Sequence, residues 1–209
     1  MRRSTPINRR GPGKPQQAGA KKQQILDAAA RVFRQKGYNG ATLRDIANEA
    51  GLLPGSLYYH IRSKEELLRL SVEQPIRELY AHLIEVIASE TPWAQKLAQA
   101  IAAHLRAFDA HYPYLFVYLQ NLLQVDAMRP RVQKQAKRYE ELWQQILSQG
   151  VKSREFPADL DVKVASFALL GMCNWMHRWY RQEGRLSIDA IIQQFTGLIL
   201  DGICRQPRD

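Results

Sequence analysis

Four hydrogen-bonding side chains lie within five consecutive residues of this chain, namely Ser56, Tyr58, Tyr59 and His60. Hydroxyl and imidazole groups can contact the phosphates and base edges of a nucleic acid. Leu57 and Ile61, at i and i+4, share one face of a helix, so we predict that these two side chains face inward. A helix of about eight residues is only ~12 Å long, too short to bury the polar groups as well. The alternative is that Tyr58 or Tyr59 packs as a core aromatic.

The flanking sequence predicts the elements that position this segment. Thr42 is a favoured N-cap, and Asp45 at the third helical position favours the exposed backbone N–H groups. Gly51 predicts the end of that helix, and Pro54 suits the first position of a second helix, which we predict over residues 55–61. Two short helices around a glycine turn form a helix-turn-helix, whose second helix enters the major groove of DNA.

A capping box, Ser-Lys-Glu-Glu at residues 63–66, opens the next helix. Lys64 combines its charge with the free N–H groups of that helix start, so we predict a phosphate contact, with a solvated surface lysine as the alternative. The predicted DNA-contacting residues are therefore Thr42, Arg44, Gly55, Ser56, Tyr58, Tyr59, His60 and Lys64.

Positive charge is concentrated at the N-terminus. The net charge is +10, and residues 1–22 hold seven basic residues and no acidic one. Residues 1–20 are rich in Pro, Gly and Gln with little to bury, so we predict a disordered basic arm. Such an arm can follow the phosphates or the minor groove, or act only as a solubilising tail. An apolar stripe from Lys21 to Lys36 predicts the first helix of a three-helix head over residues 21–72.

Residues 73–209 show helical patterns throughout, so the predicted fold is all-α, with the head followed by a helical ligand-binding and dimerisation domain. A helix from Lys64 to about Ile87, with Pro75 inside it, connects the two. Residues 162–179 are apolar nearly all round, and residues 188–203 carry a dense apolar stripe. A helix that is apolar on every side must be covered on every side, which predicts a homodimer with a four-helix interface.

Large aromatic and polar side chains cluster near the end of the apolar 162–179 segment. Aromatic walls with a few placed polar groups suit a small-molecule pocket, and arginine suits phosphate or carboxylate. The alternative is interface packing with solvated arginines. The predicted ligand-binding residues are Trp175, Arg178, Trp179 and Arg181, with Asn174 on a neighbouring flank.

Residues 37–68 resemble the DNA-binding domain of the TetR family of bacterial one-component transcriptional regulators. The matching residues are Gly37, Thr42, Ile46, Ala47, Ala50, Gly51, Gly55, Leu57, Tyr58, His60, Ser63, Lys64 and Leu67. Leu53 and Pro54 depart from the family, because a small hydroxyl residue and a polar residue are usual there, and each departure removes a possible phosphate contact. Ile61 replaces a usual phenylalanine. The resemblance implies a dimer that binds a palindromic DNA operator.

A shorter stretch, residues 171–187, is similar to members of that family that regulate fatty-acid, aromatic or sterol breakdown, several of which respond to acyl-coenzyme A (acyl-CoA) thioesters. This likeness implies that Trp175 and Trp179 line an acyl tunnel, with Arg178 and Arg181 near the polar head group. Further candidate wall residues are Tyr80, Phe108, Phe116 and Tyr118, and packing in the core is the alternative for each.

Other functional classes find little support in the sequence. It has no Ser/His/Asp order, glycine-rich phosphate loop or metal-ligand spacing, so we expect no enzyme, no bound metal and no cofactor beyond a small-molecule effector. No run of 18 apolar residues and no secretory h-region occur, so we expect a cytoplasmic protein without membrane contact. The expected function is a dimeric repressor released from its operator by an effector such as an acyl-CoA. The alternative is a ligand-independent helix-turn-helix repressor or architectural DNA-binding protein.

Overall fold

The computed structural model describes residues 14–121 and 129–203. These residues form ten α-helices and no strand, which confirms the all-α prediction. No helix among them is long and apolar enough to cross a membrane. The helices are α1 (Lys14–Gly40), α2 (Leu43–Glu49), α3 (Pro54–Tyr58), α4 (Lys64–Ala88), α5 (Trp93–Ala110), α6 (Tyr112–Asn121), α7 (Arg129–Lys152), α8 (Val162–Asn174), α9 (Met176–Trp179) and α10 (Ile188–Ile203).

The first helix begins earlier than the sequence predicts. It starts at Lys14, so residues 14–20 of the expected disordered arm are helical, while residues 1–13 lie outside the described residues. A packed helix propagates more readily than it nucleates, and the Gln and Ala residues before Lys21 are compatible with that extension. At the other end Gly37 adopts a φ of 68°, which kinks the helix where the sequence predicts its end.

Four helices build the head around a shared apolar core. Phe33 from α1, Ile46 from α2, Leu57 from α3 and Leu67 from α4 are all buried there. The connecting helix α4 continues for 25 residues through Pro75, as predicted, into the C-terminal half of the molecule.

The C-terminal half is organised around α5, which packs against α4, α7 and α10. Helix α6 packs against α4 and also against α1 of the head. The head therefore meets the rest of the protein through two helices, α4 and α6.

The apolar segment predicted over residues 162–179 is interrupted in the structure. Helix α8 ends at Asn174, Trp175 follows it, and the short helix α9 begins at Met176. After α9 the backbone becomes extended at Tyr180, with a ψ of 140°. The Trp175 N–H still donates to Gly171 O at 3.0 Å, so the backbone stays close to helical across this break. The buried face of α8 therefore continues from Cys173 to Met176.

Candidate functional site

Local hydrogen bonds build the turn that presents α3. The Thr42 hydroxyl accepts the Asp45 N–H, and the Asp45 carboxylate accepts the Thr42 N–H, each at 3.0 Å. At the other end of α2, Gly51 has a φ of 63°. Its N–H donates to Asn48 O at 3.0 Å, and the Leu52 N–H donates to Ala47 O at 2.8 Å. These two bonds form a Schellman motif, so α2 is closed at both ends by its own residues.

Helix α3 is shorter than the predicted 55–61, since it ends at Tyr58. The N–H groups of His60 and Ile61 both donate to Leu57 O, at 2.9 and 3.0 Å, which closes the last turn. Leu57 and Ile61 are buried, as predicted.

The predicted DNA-contacting side chains project from this frame. Tyr59 is 91% exposed and Tyr58 is 60% exposed, so the core-aromatic alternative is wrong for both. Ser56 is half-buried, while the remaining predicted contacts other than Lys64 are exposed, namely Thr42, Arg44, Gly55 and His60. These groups lie at the start of α2 (Thr42, Arg44), near the start of α3 (Gly55) and at or just beyond its end (Tyr58, Tyr59, His60). A helix-turn-helix reads a major groove with its second helix.

Lys64 differs from the other predicted contacts because its ammonium group is held within the protein. Nζ donates to Tyr38 O at 2.7 Å and to Ala41 O at 3.0 Å. It also lies 4.3 Å from the centroid of the Tyr38 ring, a cation–π distance. Lys64 thus ties the start of α4 to the end of α1, and its contact with phosphate stays a prediction.

A cavity of about 270 Å³ lies between the connecting helix and the C-terminal helices. Helices α4, α5, α6, α7 and α8 all contribute to its wall. Most of its lining is apolar, with polar groups from a few side chains. The lining residues are Ile76, Leu79, Tyr80, His104, Phe108, Leu115, Val132, Ala136, Tyr139, Glu140, Leu170 and Asn174.

A buried chain of hydrogen bonds runs along one side of this cavity. His104 Nδ1 lies 3.0 Å from the Tyr139 hydroxyl, and His104 Nε2 lies 3.2 Å from Asn174 Oδ1. Burial lowers the pKa of His104 from 6.5 to about 4, so its imidazole is neutral at pH 7. Since Asn174 Oδ1 can only accept, Nε2 carries the proton and the Tyr139 hydroxyl donates to Nδ1.

The cavity is not where the sequence places the ligand site. Trp175 is 58% exposed, Trp179 is 43% exposed, and Arg178 and Arg181 are also exposed; none of these four lines the cavity. The physical reason is helical spacing. Cys173, Met176 and Tyr180 are buried on one face, whereas Trp175 and Trp179, at i and i+4, share the opposite, exposed face. There Trp179 contacts Phe195 of α10, with 6.3 Å between ring centroids.

Two of the predicted additional wall residues, Tyr80 and Phe108, do line the cavity. Phe116 is buried but lies elsewhere, and the side chain of Tyr118 falls outside the described residues. Sequence reasoning missed the buried polar chain of His104, Tyr139 and Asn174. The one sequence signal for this chain of hydrogen bonds was His104, a histidine among the apolar positions of α5. A histidine at such a position is equally compatible with an ordinary core residue.

Comparison with known proteins agrees with the division of the chain into a head and a C-terminal helical half. Residues 25–70 match the bacterial regulatory proteins of the tetR family, and residues 90–203 match the tetracyclin repressor-like C-terminal domain. The chain belongs to the TetR family. Its family and relatives are transcriptional regulators and not enzymes, and the chain is a DNA-binding regulator of the TetR type.

Among relatives of this TetR-family chain is the transcriptional repressor KstR2 of Mycolicibacterium smegmatis, which is 30% identical over 205 residues, 95% of this chain and 98% of the relative. The structure of the ketosteroid transcriptional regulator KstR2 of Mycobacterium tuberculosis is 28% identical and superposes with a TM-score of 0.83, covering 89% of this chain and 96% of that one. A structure of AibR in complex with isovaleryl coenzyme A and operator DNA shares the fold, with 21% identity, a TM-score of 0.75 and coverage of 85% of this chain and 97% of that one.

Proposed function

We propose that this TetR-family chain is a homodimeric repressor whose hold on a palindromic operator is released by an acyl-CoA thioester bound in the cavity. The observation that carries the proposal is the position of the cavity against the two helices that reach the head. Ile76, Leu79 and Tyr80 of α4 and Leu115 of α6 belong to its wall. A ligand that fills the cavity therefore acts directly on both connections.

Helix α6 connects the cavity to the head through residues beside Leu115. The Tyr114 hydroxyl donates to Asp27 of α1 and accepts from Gln23 of α1 at 3.0 Å. The Arg34 guanidinium of α1 lies 4.5 Å from the centroid of the Tyr112 ring. A shift of α6 would therefore displace α1, and with it the frame that presents α3.

The dimer is supported by apolar side chains that one chain leaves uncovered on α8 and α10. Val164 and Phe167 of α8 are at least half exposed, and Leu198 of α10 is 68% exposed. A second copy that buries these faces would form the four-helix interface that the sequence predicts. Two copies of α3 about 34 Å apart would then read half-sites separated by one turn of DNA.

The acyl-CoA assignment draws on the relatives and on the size of the cavity. AibR is described with isovaleryl coenzyme A and operator DNA, and KstR2 as a ketosteroid regulator. Drug-sized ligands occupy pockets of roughly 300–1,000 Å³, so a cavity of about 270 Å³ suits an acyl group and leaves the nucleotide outside. A ligand changes the equilibrium only by its differential affinity for the DNA-binding and released states.

The test is fluorescence anisotropy on a labelled duplex that the protein has selected from a random-sequence library. Titration with hexanoyl-CoA should lower the anisotropy, while free coenzyme A and hexanoate serve as controls and should not. No change at saturating thioester would reject the effector, and a ligand-independent repressor would then be the better description.

The dimer has its own test by analytical ultracentrifugation. Leu198→Glu should produce monomers and abolish cooperative binding to a palindrome. Ile84→Glu is the matched control, because Ile84 is also a half-exposed apolar residue but lies on α4. A Leu198→Glu protein that remains dimeric would contradict the interface.

A further inference from the structure

The charges around the cavity restrict what it can accept. None of the described lining residues is a lysine or arginine. The one ionisable acid there, Glu140, is half-buried and accepts a hydrogen bond from Gln144 at 2.7 Å. A carboxylate entering this space would find no lysine or arginine among the described lining residues and would meet the like charge of Glu140, which is costly in a medium of low dielectric constant.

The buried polar chain ends in a hydrogen-bond donor at the cavity wall. Asn174 Oδ1 is occupied by the His104 ring, so the Asn174 amide nitrogen is the end of the chain that can still donate. Among the residues that the structure describes, this nitrogen makes no hydrogen bond, and Asn174 lines the cavity. His104 is only 5% exposed and keeps Asn174 in this orientation through its Nε2–H.

We propose that the cavity is specific for a neutral carbonyl oxygen, which the Asn174 amide binds, and that Glu140 excludes carboxylates. This inference rests on the proposed function, since it specifies the chemistry of the same ligand. A neutral acceptor satisfies the Asn174 amide without bringing in charge, and the surrounding apolar wall covers the hydrocarbon next to it.

The carbonyl could come from two places in a thioester ligand, either the thioester itself or a ketone further along the acyl chain. Isothermal titration calorimetry on the full chain separates them with three six-carbon probes. These are hexanoyl-CoA, the thioether S-hexyl-CoA, which lacks the carbonyl, and 5-oxohexanoyl-CoA, which adds a ketone. A bound thioester carbonyl makes S-hexyl-CoA about tenfold weaker than hexanoyl-CoA, whereas a bound ketone makes 5-oxohexanoyl-CoA about tenfold tighter.

Asn174→Ala provides the residue-level test. It should remove the tenfold difference between the probes with and without the bound carbonyl, and leave the weaker probe unchanged. Leu170→Ala is the matched control, because Leu170 lies on the same helix and lines the cavity without a polar group. That change should weaken all three probes by the same factor, as a purely structural loss would.

Glu140→Gln tests the exclusion of charge. Hexanedioyl-CoA, which carries a terminal carboxylate, should bind the wild-type protein poorly and the variant several-fold more tightly, with hexanoyl-CoA unaffected. Equal affinities for all three six-carbon probes, or a Glu140→Gln protein that still rejects the dicarboxylate derivative, would overturn the inference while leaving the proposed function in place. Failure of every probe to bind would reject both this inference and the proposed acyl-CoA effector.

Discussion

The head and the helical core use their polar side chains in opposite ways. On the head, Tyr58, the last residue of α3, and the adjacent Tyr59 project into solvent. In the core, His104 is buried and both of its ring nitrogens are hydrogen-bonded. A duplex is an external surface that side chains must reach, whereas a small ligand is recognised by enclosure. Substitutions of the exposed head side chains should therefore change binding alone, and substitutions in the core should change binding and stability together.

The largest effect expected from this contrast is a pH-dependent loss of stability that originates in the core. Burial holds the pKa of His104 at about 4 instead of 6.5. As the pH falls below 6.5 the unfolded chain takes up a proton that the folded chain does not take up until about pH 4. Unfolding is therefore favoured progressively across that window, by on the order of 3 kcal/mol in total. Denaturant titrations at pH 7 and pH 4.5 measure it.

His104→Gln isolates this contribution, because glutamine can hydrogen-bond to Tyr139 and Asn174 but does not titrate. The variant should be less stable than the wild type at pH 7 and should lose less stability on acidification. Equal pH dependence in the two proteins would mean that the pKa of His104 is the same in the folded and unfolded states.

On the head, Tyr59→Ala should weaken operator binding about tenfold and leave the melting temperature unchanged. The tyrosine is almost fully exposed, so its removal costs the folded chain little, whereas a lost DNA contact is worth roughly 1–2 kcal/mol. Anisotropy titration and differential scanning calorimetry give the two readouts. A lowered melting temperature would show that Tyr59 packs against the protein. It would contradict the expectation that exposed head residues affect binding without affecting stability.

The head could be predicted from sequence almost residue by residue because its site is local. The capping box at Thr42, the turn at Gly51 and the outward tyrosines all depend on neighbours within a few positions. The contacts of Lys64 within the protein were not predicted. The internal hydrogen bonds of Lys64 join residues more than 20 positions apart, and no local pattern predicts them.

The core site could not be predicted in the same way, since its wall comes from five helices. Its helices and the connecting role of α4 follow from apolar periodicity, but which faces meet depends on packing. The aromatic cluster at Trp175 and Trp179 has the composition of a pocket but lies on the surface, because these residues share the helix face opposite the buried Cys173 and Met176. The sequence predicts a ligand site at this cluster, whereas the cavity in the structure is lined by residues between Ile76 and Asn174.

Lys64→Ala combines both kinds of effect. Loss of its two hydrogen bonds and its cation–π contact should lower the free energy of unfolding by about 1 kcal/mol. If the third ammonium proton also reaches phosphate, the slope of log affinity against log salt should become shallower by about 0.9 per lost contact. A destabilised variant with an unchanged slope would restrict Lys64 to its structural role.

Gly55→Ala offers a smaller effect that belongs to the head alone. A Cβ at this position meets no atom of the protein within 4 Å, so the folded chain accommodates it. If α3 approaches the groove as closely as its glycine allows, the added methyl group should weaken operator binding several-fold without lowering the melting temperature. Undiminished affinity would mean that this end of α3 stays clear of the bases.

The smallest effect is expected at Tyr114, where the two regions meet. Tyr114→Phe removes the hydroxyl that joins α6 to Asp27 and Gln23 of α1 but keeps the ring. The loss of stability should be below about 1 kcal/mol. Operator affinity without ligand should change little, because α3 and its turn are untouched. The change should instead reduce the factor by which hexanoyl-CoA lowers operator affinity, since that coupling requires α6 to move α1. An undiminished factor would assign the coupling to α4 alone, the other helix that connects the cavity wall to the head.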